Sequence, residues 1–110
     1  MIHLISDRAQ PQQVQEMLEA LQTYIKLAVD VCRQVVAGGG ILHADCEAVL
    51  LEDGSRQEDV WGADWILESR EVRFESLINI RPKRGNRSLH IEDPAVRTLV
   101  ESVVRARLET

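Results

Sequence analysis

The segment Arg81-Pro82-Lys83-Arg84-Gly85-Asn86-Arg87-Ser88 carries four positive charges within seven residues, while the other 103 residues hold nine basic against eighteen acidic side chains. Arginine offers a bidentate fork, Gly85 lets backbone approach a ligand, and Asn86 and Ser88 add short donors; together these are the equipment for holding a phosphate or carboxylate. Asp93-Pro94 opens a helix close behind, and helix N-termini favour anions. Arg81, Asn86, Arg87 and Ser88 are therefore the expected anion donors, with Asn79 as a positioning group. The competing reading is a solvated connection whose arginines pair with the abundant acids, since exposed ion pairs contribute little.

A second cluster is His43-Ala44-Asp45-Cys46-Glu47. In an extended chain its ionisable residues at i, i+2 and i+4 share one face, a spacing able to hold a divalent metal or to position a general base. If Asp45 instead caps a helix, the triplet splits and leaves His43 and Glu47. His43 with Asp45 is the expected catalytic pair, for hydrolytic chemistry. No metal site is assigned and no cofactor is named. Cys46 reads as a small buried thiol, Ser55 with Glu58 as a capping box, and Trp61 as core. Ser55 lacks a nucleophile-elbow context, and Gly38-Gly39-Gly40 lacks the lysine of a phosphate loop.

These residues need elements to position them. Ile2 to Ile5 suits a short edge strand, and Pro11 suits the first turn of a helix continuing through Val14, Met17, Leu18 and Leu21. From Tyr24 the apolar positions fit either a longer helix or an alternating strand. The β-branched Ile25, Val29, Val31, Val35 and Val36 favour a hairpin turning near residues 32 to 34, with its second arm running to His43. Asp45 then caps a helix closed by Gly54, the alternative being a strand through 41 to 52. Trp61 to Leu67 and Val72 to Ile80 alternate as a second hairpin, turning near 68 to 70. Asp93 and Pro94 start a helix with an apolar stripe of Val96, Leu99, Val100, Val103, Val104 and Leu108. The expected fold is α+β, a mostly antiparallel sheet built from hairpins, packed on one face by an N-terminal helix and a C-terminal amphipathic helix, in a single domain over 1–110.

Composition narrows the function. The 110 residues are 45% hydrophobic, enough for one aliphatic core, and a net charge of −5 argues against a general nucleic-acid coat or a membrane-surface protein. Four aromatics, Tyr24, Trp61, Trp65 and Phe74, supply little base stacking. Two cysteines favour a reducing cytoplasm over a disulfide framework. Residues Met1 to Arg8 reach an acid before any signal-peptide stretch can form, and no apolar run approaches a transmembrane length. The expectation is a cytoplasmic protein binding a small anionic or phosphorylated ligand. The alternatives are a non-enzymatic interaction module or homodimer, through a sheet edge or the Trp61 and Trp65 region, and limited nucleic-acid contact through the basic loop.

Three strings carry a resemblance: Leu42-His43-Ala44-Asp45, Glu52 to Gly62, and Ser76 to Pro82 with Gly85-Asn86-Arg87-Ser88 and Glu92-Asp93-Pro94. Over roughly residues 25 to 108 the chain resembles a family of small prokaryotic proteins classed as a domain of unknown function. The resemblance implies no activity and transfers no catalytic role. Its pattern commonly places Asn at the position of Asp64 and an acid at that of Cys46. It also places a glycine near Gln34, which favours the hairpin.

Overall fold

The β-branched run after Tyr24 forms the centre of the sheet. In the computed structural model, which describes residues 1–109, β2 (Tyr24–Asp30) turns into β3 (Val35–Gly40), and Gln34 takes a φ of 59° in the turn. Asp30 is fully buried and holds that turn. Its Oδ1 accepts from the amides of Cys32 and Arg33, both at 2.9 Å, and its Oδ2 accepts from the Ser55 hydroxyl at 2.6 Å. Ser55 therefore serves a buried carboxylate rather than a capping box. The second arm ends at Gly40, short of His43, because the chain enters a helix there.

Three further strands, β1 (His3–Ile5), β4 (Val60–Ile66) and β5 (Val72–Arg73), complete a five-stranded sheet in the order β1-β3-β2-β4-β5, antiparallel at every pairing. Alternation sends Ile25, Leu27, Val29, Trp61, Ala63 and Trp65 to one face, where they bury against α1 (Pro11–Met17) and α3 (Pro94–Leu108). The other face carries Ala28, Val35, Ala37 and Val60, covered by Cys46 and Leu50 of α2 (His43–Glu52). Thus α1 and α3 share a face as the sequence predicts, and α2 covers the opposite one.

Asp93 caps α3 by accepting from the Ala95 amide at 2.9 Å, with Pro94 in the first turn. Val100, Val103, Val104 and Leu108 are buried, but Leu99 is 51% exposed. It lies about 100° round the helix from Val100, which carries it off the packed stripe.

The second hairpin also differs from expectation. Its return arm pairs only at Val72–Arg73, and Leu77–Asn79 form a 3₁₀ turn instead of a strand. Asn79 is the cause. Its side chain is fully buried, with Oδ1 accepting from the Gly62 amide at 2.8 Å and Nδ2 facing the carbonyls of Gly62, Phe74 and Leu89. Reaching all four groups requires the chain to curl over the edge of β4. Gly62 makes room, because a Cβ there would collide with Ser76.

Candidate functional site

The helical state of α2 decides how its polar residues are used. The helix begins at His43, so Asp45 falls in its first turn, exposed, where a negative charge suits the positive end of the dipole. His43 and Glu47 are one turn apart and both border the segment from Ser76 to Arg84, with Ile78 lying between them.

His43 meets an acid that local spacing does not reveal. Its Nε2 lies 2.8 Å from Asp64 Oδ1 and 3.1 Å from the Ala63 carbonyl oxygen. A carbonyl only accepts, so Nε2 carries the hydrogen and donates to both. Asp64 stands on the α2 face of β4 because Trp61, Ala63 and Trp65 occupy the other. The alternation of β4 was the available signal for its direction. Only the crossing of α2 over the sheet supplies its partner.

On the far side of Ile78, Arg81 is held from several directions. Its Nη2 donates to Glu47 Oε2 at 3.0 Å, its Nη1 donates to the Gln57 carbonyl at 2.6 Å, and its guanidinium lies 5.3 Å from the centre of the Trp61 ring. Both charged side chains of the Arg81–Glu47 pair are largely buried. Burial pushes the Arg81 guanidinium below its usual pKa, against the upward pull of Glu47. Arg84 flanks the same ring at 5.9 Å and donates to the Glu58 carbonyl at 2.6 Å. Between α2 and this segment runs a groove of about 570 Å³, with Ile78, Ile80 and Pro82 as its apolar surface, Arg81, Lys83 and Arg84 as its cations, and Glu47 and Glu58 as its carboxylates.

The remaining expected donors gather elsewhere. Asn86 is buried, giving Nδ2 to the carbonyls of Asn79, Ser88 and His90 and accepting from the Glu92 amide at 2.8 Å. The amides of Arg87 and Ser88 and the Ser88 hydroxyl all donate to Glu92 Oε2, at 2.8, 3.0 and 3.1 Å. This loop does hold an anion, and the anion is the chain's own carboxylate. Those bonds, the Arg87 amide foremost, keep the Glu92 carboxyl below the usual range.

The structure thus brings His43, Glu47 and Arg81 to one flank of α2. Asn79 and Asn86 are interior staples, and Arg87 and Ser88 close around Glu92. Sequence reasoning missed Asp64, and also Lys26, Glu75 and Ser76, which line a cavity with His43. Among the described residues, no three of His, Cys, Asp and Glu come together as a metal site, and no helix is long and apolar enough to cross a membrane.

An antiparallel sheet with helices on both faces defines an α+β protein, with a His43–Asp64 contact and a groove beside α2 as its candidate site features. The chain belongs to the family described as protein of unknown function, DUF5674, whose profile matches residues 3–107. No curated protein and no solved structure matches it.

Proposed function

We propose that the protein binds a small amphipathic anion, a carboxylate or phosphate on an apolar body, in the groove between α2 and the segment from Ile78 to Arg84. The observation carrying this reading is the union of an apolar surface, Ile78, Ile80 and Pro82, with three cations in one groove of about 570 Å³. That volume falls within the range of roughly 300 to 1,000 Å³ common to small-molecule sites. Arg81, already engaged by Glu47 and Gln57, shapes the wall. Lys83, with no ion pair among the described residues, and Arg84, bonded only through Nη1, offer charge to the ligand.

Among the residues the sequence pointed to, Arg81 stays at this site, while Asn79, Asn86, Arg87 and Ser88 support the loop behind it. Hydrolysis by His43 with Asp45 is not part of the proposal, because His43 bonds to Asp64. A second reading, an interaction module or homodimer, draws on the exposed Leu42, Leu77 and Leu89 around the neighbouring cavity. Trp61 and Trp65 are buried and the edge strands have three and two residues, so those two routes to a dimer lose support. Two cysteines standing apart, Cys32 exposed and Cys46 buried, fit a reducing compartment such as the cytoplasm.

Amide shifts followed during titration with octyl phosphate, octanoate, octanol and inorganic phosphate test the reading. The two amphipathic anions should give saturable shifts at Glu47 and Ile78 to Arg84, with octanol and inorganic phosphate inert at equal concentration. No saturable shift with either anion at millimolar concentration would reject it. Concentration-dependent shifts at Leu42, Leu77 and Leu89 without ligand would favour the interaction module.

A further inference from the structure

The cavity beside His43, of about 310 Å³, collects reactive side chains that the anion groove does not use: Lys26, His43, Glu75 and Ser76. His43 is the central one. Its Nε2–H is committed to Asp64 and Ala63, so in the tautomer these bonds select, Nδ1 is the nitrogen that carries the lone pair. Nδ1 has no hydrogen-bond partner among the described residues, and it is not one of the enclosed, unpartnered polar atoms. Lys26 lines the same cavity and carries no ion pair among the described residues. Ser76 Oγ accepts from the Ile78 amide at 3.2 Å and makes no hydrogen bond to His43.

We propose that this cavity is an esterase site in which His43 Nδ1 is the general base, Asp64 is its positioning residue and Lys26 faces the developing oxyanion. The substrate class is a carboxylic ester with an apolar acyl chain, matched by the rim of Leu42, Leu77 and Leu89. The nucleophile is water, since Ser76 is not bonded to the base. His43 Nδ1 takes one proton from the attacking water as the new C–O bond forms, and the carbonyl electron pair becomes an oxyanion facing Lys26. Collapse of that intermediate breaks the ester C–O bond, and the imidazolium returns its proton to the departing alkoxide. The products are one alcohol and one carboxylic acid, which ionises. Asp64 holds the tautomer that exposes Nδ1 and stabilises the transient imidazolium. The inference is independent of anion binding in the neighbouring groove.

The probe is p-nitrophenyl butyrate, with the unfolded protein and free imidazole at equal concentration as backgrounds. Wild type should exceed both, without a burst of p-nitrophenol, and His43→Gln should lose roughly 100-fold. Asp64→Asn should lower kcat with little change in KM and displace the pH–rate profile, a readout that lost packing alone would not move. Should His43→Gln fail to fold, the wild type still decides: the acid limb of its kcat profile must coincide with the titration of His43 followed by NMR. A wild-type rate equal to background, equal rates in wild type and folded His43→Gln, or a kinetic limb that does not track His43 would each overturn the proposal.

Discussion

Glu92 closes on Ser88 twice, its Oε2 accepting from the Ser88 amide at 3.0 Å and from the Ser88 hydroxyl at 3.1 Å. The Arg87 amide adds a third bond to the same oxygen. A carboxylate seated on consecutive amides occupies the geometry that would hold a small free anion. The basic loop is for that reason closed on itself, and Lys83 and Arg84 lie instead on the groove beside α2.

This arrangement has a pH signature. The folded Glu92 carboxyl titrates below its usual value of 4.5, so its stabilisation is complete above that value and is lost as pH falls through the lowered one. Glu16 is shifted the same way by Gln12 and His3. Glu92→Gln should therefore flatten, without abolishing, the acid decline in stability. Urea midpoints measured from neutral pH to about pH 3 check this, and superimposable curves would contradict it.

Asn79 should behave as a structural staple. Asn79→Ala strips the buried Gly62 amide and carbonyl of their Asn79 partner and removes a second donor from the Phe74 and Leu89 carbonyls, which keep the Ile91 and Ser76 amides, and should cost about 3 kcal/mol. Asn79→Asp should also destabilise, because an aspartate loses the donors and places a charge in the interior. Urea unfolding of both variants tests the role. A side chain that served only a ligand would leave both midpoints unmoved.

Along α3, neighbouring residues should differ sharply. Leu99→Ala should shift stability by no more than about 0.5 kcal/mol, while Val100→Ala should cost about 2 kcal/mol through lost transfer energy and a residual cavity. Comparing the two midpoints by urea denaturation decides whether the packed stripe is as narrow as described.

Local chemistry made part of the architecture legible. β-branching across Ile25 to Val36 favoured strands over a long helix, and Asp93 with Pro94 marked the start of α3, because both signals lie within a few residues of what they determine. The alternation of Ile78 and Ile80 looked equally strand-like. It failed because Asn79 finds its partners on Gly62, Phe74 and Leu89, and that long-range demand overrides a local period. The site was partly hidden for the same reason. His43 and Asp64 are 21 residues apart and meet only where α2 crosses β4. The donors of Asn86, Arg87 and Ser88 were visible in the sequence, whereas the capture of Arg87 and Ser88 by Glu92, and of Asn86 by the carbonyls of Asn79, Ser88 and His90, depends on how the loop folds back before α3.

Binding in the groove is most directly tested by calorimetry of octyl phosphate against the wild type and Lys83→Glu/Arg84→Glu, both exposed positions, with octanol as the uncharged control. The account predicts saturable binding to the wild type, weakened at least about tenfold by the double reversal, and no comparable binding of octanol. Equal affinity of octyl phosphate for the two proteins, or octanol binding as tightly as octyl phosphate, would contradict it.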